Sequence, residues 1–279
     1  MKVRLGLLSQ INAAPLKYGI EKTAKKLDDI KFELFYGAPQ ELNHMFNEDE
    51  LDISIISSIE FLKNKNKYTL LRYTISCDGP VKSVILLSET EPETLENSPV
   101  NITSVSATGA TLLKMVFRFY FKCKPVYNLV DDKKIEMENI DSFIPLLLIG
   151  DKALKYYCKI ESQKQKILIF DLGELWKKLS SYGMVYAVMC VKNNIYTPNI
   201  IERLNGIVEE ANIIGLNNMD NYLPEISVKT GIKMEILKEY LLRFSYTLGA
   251  SEKHWLDVFE SGYMKHEKGL FSEFEMRKS

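Results

Sequence analysis

Leu5-Gly6-Leu7-Leu8-Ser9-Gln10-Ile11-Asn12-Ala13-Ala14-Pro15-Leu16 is the stretch that decides the fold class. It continues an apolar run from Val3 and reads as a short buried strand. The run gives way to a polar turn carrying Asn12, and Pro15 then stands where a helix begins, a position its fixed φ favours. In an α/β protein the turn at the carboxyl end of the first strand is a usual place for a ligand. An asparagine there donates and accepts without a charge to desolvate. Asn12 is therefore the first candidate ligand contact.

Outward from that stretch the same rhythm repeats. Strands are expected at Val3–Leu8, Phe32–Tyr36 and Asp52–Ile56, with helices over Leu16–Leu27, Gln40–Asn47 and Ile59–Asn64. This alternation predicts a parallel sheet covered on both faces. Tyr68–Ile75 and Val81–Leu87 read as further strands, and Ser88–Pro99, rich in Ser, Thr, Glu and Pro, as a surface crossing. A second series follows, with strands at Val100–Val105, Val126–Val130, Pro145–Ile149, Lys166–Phe170 and Met184–Val191. Its helices are expected at Gly109–Phe121, Lys152–Cys158 and Gly173–Leu179. From Pro198 onward only helices are expected: Pro198–Gly215, Glu235–Gly249 and Glu252–Phe259.

Two similar βα series and a helical tail predict a two-lobed α/β protein that clamps a ligand. Residues 1–88 and 190–279 form lobe one with the tail, and 89–189 form lobe two. Two linking strands would make a hinge, with the ligand in the cleft.

The bulk composition narrows the function. The 279 residues are 46% hydrophobic, ample for a core. Lysine plus arginine total 36 and aspartate plus glutamate 37, so there is no basic excess to displace counterions from a nucleic acid. No apolar run approaches the roughly 20 residues of a membrane helix. A strand starting at Val3 leaves no room for an export signal, so a cytoplasmic protein is expected. Cys77, Cys123, Cys158 and Cys190 are widely spaced and read as buried or half-buried free thiols of a reducing compartment. His44, His254 and His266 lack partners at metal-ligand spacing and read as solvated surface histidines, so no metal is expected. No glycine-rich phosphate loop is present, and no cofactor is called for.

Four strand-to-helix junctions carry the candidate chemistry, because helix N-termini offer free N–H groups and partial positive charge to an anion. They are the turn at Asn12, Ser57-Ser58 after the third strand, Ser104 to Gly109 after the first strand of lobe two, and Gly150-Asp151 after Leu146–Ile149. Ser106, Thr108 and Gly109 would meet carboxylates through hydroxyls and amides. The alternative at each junction is a simple helix cap. Ser83 is polar within an apolar strand near the hinge; it faces either the cleft or outward. Gly79 and Pro80 shape a turn, Trp176 packs a short helix onto the sheet, and Lys25-Lys26 and Lys177-Lys178 belong to solvated helix faces.

Several segments taken in order resemble the chorismate dehydratase family of the futalosine route to menaquinone. They are Ile11–Leu16, Leu51–Glu60, Gly79–Val84, Leu147–Leu154, Asp171–Trp176, Tyr240–Tyr246 and Lys268–Leu270. The resemblance implies a periplasmic-binding-protein-like (type II) fold with a helical C-terminal region, used as a cytoplasmic lyase without a cofactor. The implied substrate is a small dicarboxylate, chorismate, and the implied product 3-[(1-carboxyvinyl)oxy]benzoate. It further implies Asn12 and Ser83 at the reacting region, with Ser57, Ser58, Ser106, Thr108, Gly109, Gly150 and Asp151 binding substrate. Two segments depart from the family pattern: Ser106–Gly109, usually richer in Ser and Thr, and Ser180–Ala187. The competing readings are a non-catalytic binder of a small carboxylate and a 1,4-dihydroxy-6-naphthoate synthase-like enzyme. The latter's usual Ser-Pro-Cys-Pro-Asn-Asp opening is replaced here by Ser9-Gln10-Ile11-Asn12.

Overall fold

The computed structural model describes residues 1–103, 106–163 and 167–269. In chain order the strands are β1 (Lys2–Leu8), β2 (Lys31–Gly37), β3 (Ile53–Ser57), β4 (Tyr68–Cys77), β5 (Val84–Ser88), β6 (Pro99–Thr103), β7 (Val126–Val130), β8 (Leu146–Ile149), β9 (Leu168–Asp171), β10 (Met184–Lys192) and β11 (Phe244–Thr247). The helices are α1 (Ala14–Thr23), α2 (Pro39–Asn47), α3 (Ser58–Asn64), α4 (Ala107–Val116), α5 (Asp151–Gln163), α6 (Leu172–Ser180), α7 (Pro198–Asn217), α8 (Leu223–Thr230), α9 (Met234–Leu241) and α10 (Ala250–Glu267). Ser104, Val105, Lys166 and Leu270, each part of a segment named above, lie outside the described residues.

Two compact units result. The first combines Met1–Ser76 with Val185–Glu252; the second comprises Cys77–Met184 and the described residues from Lys253. Each holds one sheet: β11-β4-β10-β3-β1-β2 in the first, β7-β6-β8-β5-β9 in the second. With the edge strand β11 set aside, the two orders are one pattern written twice.

The sheets are mixed, not wholly parallel as the rhythm predicts. β1 runs parallel to β2 and β3, but β10 pairs antiparallel with β3. In the second sheet β6 runs parallel to β7 and β8, while β5 is antiparallel to both β8 and β9. A parallel neighbour needs a long crossover on the sheet face. β5 and β10 are each the first strand after the chain changes unit, so no βαβ crossover within their own sheet dictates their direction.

The tail also departs from the expected run of helices. Phe244–Thr247 is a strand, β11, not part of a helix over Glu235–Gly249. Phe244 and Tyr246 are buried while Thr247 is exposed, a period of two that only a strand satisfies. A helix not foreseen, α8, occupies Leu223–Thr230 and stops at Gly231, whose φ of 73° is the left-handed helix end that glycine tolerates.

In the first unit α1 and α7 pack backbone to backbone. A Cβ on Gly19 would fall 1.6 Å from the Ala211 carbonyl oxygen, and one on Gly215 would fall 1.8 Å from that of Pro15. In the second unit β5 and β8 are buried on both faces. Ile85, Leu87, Leu146 and Leu148 form one core with Ala153, Tyr156 and Ile160 of α5. Trp176 is fully buried, donates to the Gly183 carbonyl at 3.1 Å and meets Phe259 edge-on, as its packing role requires.

Candidate functional site

In the first unit Asn12 and Ser57-Ser58 follow the carboxyl ends of the neighbouring parallel strands β1 and β3. Asn12 lies in a single turn of 3-10 helix, Ile11–Ala13. Its Oδ1 is buried and has no hydrogen-bond partner among the described residues. Nearly all buried polar atoms of folded proteins are bonded, and an orphan costs about 1–3 kcal/mol. The Asn12 oxygen is thus able to accept a hydrogen bond that no described residue supplies.

Ser57 and Ser58 have different duties. Ser57 is the N-cap of α3: its Oγ accepts from the Glu60 amide at 3.3 Å. Asn43 of α2 holds it from both sides, donating to Ser57 Oγ at 3.3 Å and accepting from the Ser57 amide at 3.2 Å. Ser58 is fully buried and donates to the Val185 carbonyl at 2.6 Å, tying α3 to the start of the unit's share of β10.

The second unit gathers its candidates at one end of its sheet. Val84 is registered with Ile149 and Ile85 with Asp171, so the start of β5 lies beside the ends of β8 and β9. Ser106 is the N-cap of α4 and accepts from the Gly109 amide at 3.3 Å. Gly109 packs so tightly on the end of β8 that a Cβ would come 2.6 Å from Ile149 Cδ1. Thr108 is buried beside it. Gly150 adopts φ 74° and donates to the Ser83 carbonyl at 2.7 Å; Asp151 opens α5, where its charge suits the helix N-terminus.

Ser83 is buried but stands in the loop before β5, not inside the strand. Two features shorten the expected strand. Lys82 has a left-handed φ of 63°, and the amides of Val81 and Lys82 are turned to Asp171 instead of a neighbouring strand.

Asp171 and Asn43 are the residues that sequence reasoning passed over. Asp171 is 7% exposed, and its carboxylate accepts from Val81, Lys82, Gly173 and Glu174. Burial pushes its carboxyl up, and the four amides act against that. The run Asp171-Leu172-Gly173-Glu174 carries a capping signal, an acid before a helix with glutamate three positions on. Nothing local announced its second pair of donors.

One cysteine touches the Ser83 loop: Cys77 Sγ donates to the Pro80 carbonyl at 3.5 Å. His44 and His254 are exposed, but His266 departs from the surface reading: it is half-buried with Nδ1 unpartnered among the described residues. Burial and then the Arg118 charge lower its pKa. Cys77, Cys123 and Cys190 are buried free thiols and Cys158 is half-buried. Burial raises the Cys123 thiol to about 11 and Cys190 well above the usual range, so neither is a ready nucleophile. Among the described residues no cluster of three His, Cys, Asp or Glu side chains could hold a metal. No helix described is long and apolar enough to cross a membrane.

Residues 3–262 match a family described as menaquinone biosynthesis. The chain belongs to the menaquinone biosynthesis family. A curated relative in Thermus thermophilus, named chorismate dehydratase, is 25% identical over 267 residues, covering 91% of this chain and 93% of the relative. Solved structures agree on the fold. A protein of Archaeoglobus fulgidus superposes with a TM-score of 0.75 at 16% identity, covering 96% of this chain and 98% of that one. The periplasmic aliphatic sulphonate binding protein SsuA of Escherichia coli gives 0.64 at 14% identity, covering 96% and 88%. This member of the menaquinone biosynthesis family therefore has a periplasmic-binding-protein-like fold.

Proposed function

We propose that this chain is a lyase that dehydrates chorismate to 3-[(1-carboxyvinyl)oxy]benzoate on the futalosine route to menaquinone, acting in the cytoplasm. The observation that carries the reading is Asn12. It offers a buried, unpartnered amide oxygen at the carboxyl end of β1, in a chain similar along nine-tenths of its length to a chorismate dehydratase.

The chemistry suits neutral groups. A ring C–H bond breaks and its electron pair becomes a ring double bond as the neighbouring C–O bond breaks. The proton and the hydroxide leave as water, and the ring becomes aromatic. Aromatisation makes the product strongly favoured, so the protein's work is to orient the dianion, exclude water and assist the departing hydroxyl. In this reading Asn12 polarises the reacting region and Ser83 hydrogen-bonds near it. Ser57, Ser106, Thr108, Gly109, Gly150 and Asp151 belong to the substrate-binding set, and Ser58, whose hydroxyl is engaged with the Val185 carbonyl, joins them through its backbone amide at the start of α3. Ser57 and Ser106 also keep their capping duties, and a hydroxyl that accepts from an amide still has a proton to donate. In this reading a carboxylate of the substrate itself accepts the ring proton and passes it to the departing hydroxide, while Asp151 enters the set through its amide at the start of α5 and not through its carboxylate.

A non-catalytic role as a binder of a small carboxylate is the second reading, favoured by the fold shared with a sulphonate binding protein. Incubation of the purified protein with chorismate separates the two. Appearance of an aromatic product by ultraviolet absorbance and mass spectrometry supports the lyase; a thermal shift without product supports the binder.

A further inference from the structure

We propose that Asp171 is a positioning residue that sets Ser83 for chemistry, an inference that rests on the role given to Ser83 above. Capping α6 needs only the bonds from the Gly173 and Glu174 amides, 2.9 and 3.1 Å from Oδ1. At the α-helices α3 and α4 a serine does that work, Ser57 and Ser106. A buried carboxylate is a costly way to cap a helix. Its further bonds supply the reason: the Val81 amide is shared between Oδ1 at 3.1 Å and Oδ2 at 3.0 Å, and the Lys82 amide donates to Oδ2 at 2.6 Å.

Those two amides belong to a loop that would not hold its shape unaided. Gly79 has φ 109° and Lys82 φ 63°, a conformation unfavourable for a residue with a side chain. Strain of this kind persists only where the surroundings over-determine it. Here they do so on both flanks of Ser83: Asp171 takes the preceding amide, and Gly150 donates to the Ser83 carbonyl at 2.7 Å. The acid thus links the end of β9 to the one residue of this loop assigned a part in the reaction.

The test uses the full-length protein, with Asp171→Asn, Ser83→Ala and the double variant assayed on chorismate. Asp171→Asn is expected to lower kcat about 10- to 100-fold with KM little changed, as a small misplacement does. In the Ser83→Ala background the same change should alter kcat less than about twofold, because residues acting as a unit are not additive. Equal losses in both backgrounds would overturn the proposal. Amide exchange over residues 79–84 is measured in parallel without substrate; protection should fall in Asp171→Asn, and unchanged protection sinks the positioning claim. That arm stands even if the wild-type protein leaves chorismate untouched, an outcome that removes the functional reading instead. Should Asp171→Asn fail to fold, Asp171→Ser keeps the cap of α6 while releasing the loop, and the same readings apply.

Discussion

Gly215 of α7 lies directly on the carbonyl of Pro15 in α1, and Gly19 of α1 lies in the same way on the carbonyl of Ala211 in α7. The two helices touch through backbone at two points, so neither neighbour is a flexible side chain that can turn aside. Gly19→Ala and Gly215→Ala are each expected to destabilise the protein by about 3 kcal/mol or more, the upper range for overpacking. Gly206, also in α7, is exposed and has open space around it. Gly206→Ala should stabilise by about 0.4–1 kcal/mol. Urea midpoints of the three variants check the contrast.

Asn12→Ala should separate stability from activity. Its Oδ1 has no partner to lose among the described residues, so the melting temperature should not fall. Turnover should drop about 100- to 1,000-fold, the scale of losing one polarising group in an active site. A variant with wild-type turnover would remove Asn12 from the reaction. Thermal melting and steady-state kinetics on one preparation are sufficient.

Acid sensitivity should trace to the pair Arg4–Asp52. Burial alone would raise the Asp52 carboxyl, but Arg4 donates to it from Nη2 at 2.6 Å and from its amide at 2.8 Å, and the net effect is a lowered pKa. A carboxyl lowered in the folded state contributes stability that is complete above its unfolded pKa of about 4 and is lost as pH falls through the folded value. Asp52→Asn should therefore be less stable than wild type at pH 7, and the gap should narrow as pH falls below about 4. Denaturant midpoints across that range measure this.

Thiol labelling should follow burial. In the native protein at pH 8 iodoacetamide should reach Cys158 first, whereas Cys123 and Cys190, whose thiols burial holds protonated, should react only after unfolding. Mass spectrometry of timed digests reads the order.

The sequence was most legible where period and position act locally. Val3–Leu8, Phe32–Tyr36 and Val126–Val130 declared themselves by short apolar runs, and the structure places β1, β2 and β7 there. The strand over Phe244–Thr247 was hidden because it is four residues long and follows Tyr240-Leu241-Leu242, which continues a helical spacing. The antiparallel sense of β5 and β10 was beyond reach, since direction depends on partners far along the chain. The same distance conceals Asp171: its capping signal is local, but Lys82 lies 89 positions away. The candidate residues at helix starts were legible one by one. The bonds that commit Ser58 to Val185 and Ser57 to Asn43 were not, because they join separate elements.

The order β11-β4-β10-β3-β1-β2 has a consequence for biosynthesis. β4 reaches β3 only through β10, so the first sheet stays open until the ribosome has delivered Lys192. The strands of the second sheet, β5 to β9, emerge before β10 as one uninterrupted stretch. The half of the protein encoded in the middle is thus able to complete its sheet first, while the amino-terminal strands wait for it.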